Sequence, residues 1–197
     1  DLRPQGINWP KKSDNKLSFK LEELSVANAI PHSKLHDALS DVEATIFLTK
    51  LIREKNVKVF NYFFSNRDKN AVAKIISLKS KEMIVHTSRM FTSENGCTTL
   101  VYPLITHPTR KNYILSYDLR YDPQPLIDLP ADKLKDLIFV SKDTGNYDNR
   151  IHIKGIQLNK CPIVAPLSVM DSESYIRLHI DLATCKKHFD KLYAADK

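Results

Sequence analysis

The 197-residue chain contains no run of about 18 apolar residues, so a membrane-spanning helix is not expected. Its three cysteines, Cys97, Cys161 and Cys185, have neither the CxxC nor the Cys/His spacing of a zinc site. They read as reduced thiols of a cytoplasmic protein, not as a disulfide framework. No segment repeats and none is of low complexity. The opening residues Asp1-Leu2-Arg3-Pro4 carry no initiating Met and no signal-peptide core. They read as the end of an earlier element, and the expectation is a piece of a longer protein that lacks its N-terminal portion.

What is present describes an ordinary globular protein, with 42% hydrophobic and 27% charged residues. The length allows one large or two small domains. Thirty Lys and Arg against 23 Asp and Glu leave a net charge of +7, which favours a polyanionic partner.

The most informative pattern is His36-Asp37-Ala38-Leu39-Ser40-Asp41, an H-x-A-x-x-D motif at the start of a helix expected over residues 37–54, a stretch free of Gly and Pro. At about 100° per residue, Glu43, Lys50 and Glu54 share one polar wedge. Asp41 falls nearly opposite, with Ala38, Thr45, Leu48 and Ile52. A carboxylate aimed into an apolar stripe is costly unless a cation receives it, and that stripe holds no Lys or Arg one turn away. A divalent metal answers this need, because Mg²⁺ takes one or two carboxylates plus water and substrate phosphate. His36 stands close enough to reach the same cleft, with a near-neutral pKa suited to taking a proton from water. The same residues also admit plainer readings: a His that caps the helix, and an inward Asp satisfied by backbone donors. The adjacent His36-Asp37 pair fits HD-type phosphohydrolases by letter, but their further histidines on later helices are missing.

Along the chain, residues 1–16 read as a loop, and Ser18-Phe19-Lys20-Leu21-Glu22 opens a short helix with Ser18 as its cap. After the Asp41 helix come two short helices, around residues 60–64 and 68–76. Strands are expected at 83–91, 99–105, 113–119 and 151–158, with a hairpin connection at residues 107–112 that places Arg110 and Lys111 at its tip. Residues 131–137 read as a helix, and from Asp171 the chain is helical to its end. Boundaries fall near residues 56–60 and near 168.

Several further motifs accompany H-x-A-x-x-D: Arg3-Pro4-x-Gly6-Ile7-Asn8-Trp9-Pro10, Ser18-Phe19-x-Leu21-Glu22, Phe60-x-Tyr62, Val85-His86-x-Ser88-x-Met90-Phe91, His107-Pro108 and Asn159-Lys160-Cys161-Pro162. In this order and spacing the chain resembles the bacterial exodeoxyribonuclease I family of DnaQ-like 3′-to-5′ exonucleases over nearly its whole length. The resemblance implies an α+β architecture. Residues 1–57 would be the C-terminal part of an RNase H-like exonuclease domain, 58–168 an SH3-like β domain with connecting helices, and 169–197 the start of a helical domain.

It also implies a function: degradation of single-stranded DNA from the 3′ end with two Mg²⁺ ions in the complete enzyme, or with Mn²⁺ as the alternative ion. By resemblance His36 is the catalytic base and Asp41 a metal ligand. The family's other carboxylates, an Asp-x-Glu pair and a middle Asp, would precede Asp1, so this chain alone is expected to be inactive. Lys20, which stands where the family has an Arg, joins Lys69, Asn112 and Asn159 as implied contacts to the DNA strand. Arg3 and Tyr62 are implied contacts to the C-terminal tail of single-stranded DNA-binding protein, although Pro166 and Asp171 depart from the family pattern there. No membrane partner is expected, and the protein reads as a monomer. The alternative class is a non-catalytic module that binds single-stranded DNA or a protein tail.

Overall fold

The computed structural model describes residues 4–14, 16–31, 37–138, 140 and 150–195. The chain opens with four helices: α1 (Leu21–Ala27), α2 (Ala38–Lys55), α3 (Val57–Ser65) and α4 (Lys69–Ile75). Local chemistry sets their starts. The Asp37 carboxylate accepts from the Ser40 N–H at 3.1 Å and caps α2, and Asp68 accepts from Asn70 at 3.1 Å to cap α4. The first helix departs from expectation, because its N-cap is Lys20 and no side chain caps it. Ser18 lies buried two residues earlier, accepts from the Lys20 N–H at 3.4 Å, and its hydroxyl holds the Glu23 carboxyl below its usual range. The segment before α1 is tied to its far end by reciprocal bonds between Asn8 and Asn28, at 2.8 and 2.9 Å.

A five-stranded antiparallel sheet follows, formed by β1 (Ile84–Thr87), β2 (Thr98–Thr106), β3 (Tyr113–Asp118), β4 (Ile153–Gln157) and β5 (Ile163–Pro166), in the order β4-β3-β2-β1-β5. Between β3 and β4 stand α5 (Gln124–Asp128) and α6 (Ala131–Ile138), and after β5 come α7 (Ser172–Arg177) and α8 (Leu182–Ala195). Both faces of the sheet are covered, so its period-2 alternation sorts apolar residues between two cores. Val85, Leu100, Tyr102, Tyr117 and Ala165 face one way and pack with Leu178, Ile180, Cys185 and Leu192 from the C-terminal segment. Ile84, Val101, Ile114, Ile156 and Val164 face the other way, onto Val72 and Ile76 of α4. Each large side chain fully buried here stabilises the fold by about 1.5–3 kcal/mol.

Three expectations change. The first strand stops at Thr87, because Ser88 turns the chain: its N–H donates to Cys97 and its carbonyl accepts from Phe91. The C-terminal helix is interrupted between α7 and α8, where His179 takes a φ of 50° and Asp181 accepts from Ala183 and Thr184 to start the second helix. The five-residue α5, with Pro125 in its first turn, was not anticipated. All three cysteines are free thiols, and burial pushes the Cys185 thiol up to about 12. Among the described residues no helix is long and apolar enough to cross a membrane.

Candidate nucleic-acid interface

Residues 10–18 fold back on themselves: Lys12 N–H donates to Lys16 at 2.8 Å and Ser18 N–H to Pro10 at 2.9 Å. This loop reaches across to the β domain, where the Lys16 ammonium meets Glu94 at 2.8 Å. That bond holds the Lys16 pKa above its ordinary value. Beside the bridge lies a cleft of about 830 Å³. One wall comes from Lys12, Leu17 and the stretch Phe19 to Glu22, with Asp41 from α2, and the other from Arg89, Phe91, Ser93 and Cys97. Lys12, Lys20 and Arg89 supply three cations, and Phe19, held edge-on to Trp9 at 5.9 Å, supplies an accessible ring. The Lys20 ammonium is mostly exposed and lies 3.5 Å from Glu22 and 3.6 Å from Glu23.

The wall bearing Phe91 is rigid. The buried Asp118 carboxylate accepts from Thr99 Oγ1 at 2.9 Å and from Arg120 through Nε at 3.1 Å and Nη2 at 2.7 Å. The Arg120 guanidinium and the Lys154 ammonium then sit 5.6 and 5.7 Å from the centre of the Phe91 ring, and His86 meets that ring edge-on. His152 stacks on Tyr121, and burial pushes its pKa down to about 4. Of these groups the sequence motifs include only His86 and Phe91. The one local signal was a cation beside an aromatic, Arg89 and Phe91, just after a strand.

Asp41 lies in the first turn of α2, half-buried at the cleft, where the positive end of the helix dipole favours a carboxylate. The stripe drawn through Ala38 and Thr45 needs correction, because both are exposed. The buried side of α2 runs through Ser40 and Ala44, one residue round, because α1 and α3 pack there. Asp41 therefore stands at the edge of that face and opens onto the cleft. Glu22 is the cleft's other carboxylate. Among the described residues no three His, Cys, Asp or Glu side chains come together as a metal site. Asp41 and Glu22 are donors of the kind a single Mg²⁺ takes beside water and phosphate, and a pair of ions needs more carboxylates than the described residues bring together. His36 and Arg3 lie outside the described residues.

Asn112 and Asn159 are brought together. The Leu158 N–H donates to the Asn112 carbonyl at 2.8 Å, and Asn112 takes the left-handed conformation (φ 57°) that Asn tolerates at a hairpin. The hairpin tip is organised by His107, whose Nδ1 accepts from the N–H groups of Thr109 and Arg110. Lys69 is exposed on the first turn of α4, the helix that packs on the same sheet face as Ile114 and Ile156. Lys20 stands apart from these three, in the cleft. Tyr62 is half-buried, and its hydroxyl donates to the Val164 carbonyl of edge strand β5 at 3.1 Å. Asp171 serves as the cap of α7, accepting from Ser174 N–H at 2.7 Å.

Residues 67–197 match the family described as the exonuclease I SH3-like domain. The chain is 37% identical to exodeoxyribonuclease I of Escherichia coli over 184 residues, 93% of this chain and 39% of that protein. It is 39% identical to exodeoxyribonuclease I of Haemophilus influenzae over 198 residues, 98% of this chain and 41% of that protein. Its fold superposes on the crystal structure of E. coli exonuclease I in complex with a dA16 oligonucleotide with a TM-score of 0.93 at 36% identity, covering 98% of this chain and 41% of the other. A crystal structure of SSB/exonuclease I with an inhibitor gives a TM-score of 0.89 at 35% identity, covering 99% of this chain and 41% of the other. The chain thus spans about two-fifths of the length of the proteins it matches.

Proposed function

Given that this chain belongs to the exodeoxyribonuclease I family, we propose that it is the strand-holding part of a 3′-to-5′ exonuclease that degrades single-stranded DNA. The observation that carries this reading is the cleft between the α1–α2 unit and the β domain, where Lys12, Lys20 and Arg89 surround exposed Phe19 beside Asp41. Cations set along a groove neutralise phosphates, and an accessible ring offers a stacking surface to any base. Lys20 contacts phosphate as a point charge without the fork an Arg would bring. Lys69, Asn112 and Asn159 extend the path over the hairpin corner of the sheet.

Asp41 and His36 are assigned to the hydrolytic site, Asp41 as a ligand to a divalent ion, Mg²⁺ or Mn²⁺, and His36 as the base that takes a proton from the attacking water. When bound, such an ion lowers the pKa of water and balances charge on the phosphate. Two such ions need more carboxylates than the described residues bring together, so hydrolysis is assigned to the complete enzyme and strand binding to this chain. Tyr62 is assigned, with Arg3, to a tail of single-stranded DNA-binding protein, a reading supported by the structure of SSB with exonuclease I. The capping duty of Asp171 argues for a weaker hold there.

Two measurements test this. In the complete enzyme, Asp41→Asn and His36→Ala each lower turnover of a 3′-labelled single strand by at least about 100-fold while oligonucleotide binding survives. The 197-residue chain binds that strand without cutting it, and three phosphate contacts give log K against log salt a slope of about −2. Full nuclease activity of the 197-residue chain, or binding indifferent to salt, overturns the reading.

A further inference from the structure

A second cavity, of about 340 Å³ and mostly apolar, lies between α2, α3 and the start of β5. Ile52, Phe60, Phe63 and Phe64 line it from the helices, and Pro162 and Ile163 from the start of β5. Phe64 is 55% exposed and Ile163 43%, an unusual pairing beside an edge strand. The rings of Phe60 and Phe64 stack at 5.8 Å, with the Arg53 guanidinium 5.6 Å over the first and the Arg67 guanidinium 4.0 Å over the second. This makes a pair of stacked rings with a cation at each end along the outside of α3.

Besides Thr49 and Cys161, one buried amide interrupts the apolar lining. Asn66 is 8% exposed, lines the cavity, and its Nδ2 makes no hydrogen bond. The amide lies close to the Tyr62 hydroxyl, which donates to the Val164 carbonyl, but the two do not reach hydrogen-bond geometry. A buried amide left in this state costs about 1–3 kcal/mol, so a ligand that supplies an acceptor gains directly from it. Asn66 lies three residues before Lys69, and Cys161 in the cavity wall lies two residues after Asn159, so both ends of the cavity adjoin the strand path.

We propose that this cavity is a base-binding subsite for the single strand: one nucleobase enters between Phe64 and Ile163, an acceptor on its edge receives the Asn66 amide, and Arg53 and Arg67 meet the flanking phosphates. The inference rests on the strand-binding reading and adds a site to it. Stacking is tolerant of base identity, while a single buried donor favours bases that present a carbonyl or ring nitrogen.

The test compares two labelled oligonucleotides on the 197-residue chain, an oligo-dT and an abasic strand of the same length, by fluorescence anisotropy. The unaltered chain prefers oligo-dT, and Phe64→Ala loses on the order of ten-fold in affinity for oligo-dT but little for the abasic strand. Phe64→Trp restores the preference, which separates stacking from a folding defect. Equal losses on both strands, or no loss on either, overturn the subsite while leaving the strand reading in place. So does an acidic peptide with an apolar end that competes at Phe64 without displacing DNA. Failure of the unaltered chain to bind either oligonucleotide overturns the strand reading itself and the subsite with it.

Discussion

Along β2 the first six residues, Thr98 to Pro103, are all buried, whereas the 18 residues of α2 bury only Ser40 and Ala44. The contrast does not come from composition, since α2 carries Leu39, Val42, Ile46 and Phe47, each between 44% and 67% exposed. It comes from what lies opposite. The sheet is covered on both faces, by α4 on one and by the C-terminal helices on the other, so every register position meets a partner. Among the described residues, α2 packs chiefly on α1 and α3 and leaves Leu39, Val42, Ile46 and Phe47 accessible. A central strand is stabilised by packing on both sides, and the helix by its caps and one narrow seam.

The sharpest way to break this contrast is to remove a group that the sheet has sealed in. Asp118→Ala leaves the Arg120 guanidinium without its buried carboxylate, and the expected loss is about 3–5 kcal/mol in denaturant melts. A loss near that of a surface mutation would show the sheet to be less closed than it looks.

A smaller effect is expected at Gly155, where an added Cβ would run into the Tyr113 ring and its hydroxyl. Gly155→Ala then costs about 1–3 kcal/mol. Because the clash is with one ring at a hairpin end, adding Tyr113→Ala recovers part of the loss, and additivity in that double-mutant cycle would refute the contact.

Smaller again is an acid effect. Burial holds His152 at about 4, below its unfolded value of 6.5, so the unfolded chain binds its proton first as pH falls. Stability is complete above pH 6.5 and declines toward pH 4, by about 1–2 kcal/mol once the partial exposure of the ring is allowed for. His86, pushed down by burial, acts in the same direction. Thermal melts across this range check the decline, and His152→Phe flattens it in part. The smallest effect belongs to α2: Phe47→Ser changes the stability of this chain by no more than about 0.5 kcal/mol, and a larger loss in calorimetry would mean its exposed side is covered.

Particular residues show how far the sequence could be read. Asp37 and Asp68 marked helix starts because a cap needs only its own next three residues. β-Branched and aromatic residues between polar turns placed β2 and β3 to within one residue, since such side chains suit a pleated, buried surface. Ser18 misled because its hydroxyl turned to Glu23 and the Lys20 amide and left the first turn of α1 uncapped. The inward side of α2 was drawn one residue off because apolar residues ring much of that helix and only its neighbours choose among them. The bond that sets Asn112 beside Leu158, next to Asn159, could not be seen locally, as the two segments lie far apart in the chain.

By itself, then, the sequence determined most of the helices, four of the five strands, the excess of positive charge and the H-x-A-x-x-D motif, all of which depend on nearby residues. Tertiary structure alone decided that Lys20, Asp41, Arg89 and Phe91 share one cleft and that Asn66 ends buried without a partner. The reason is physical: contacts between distant segments follow from which surfaces cover each other, and no local pattern encodes that.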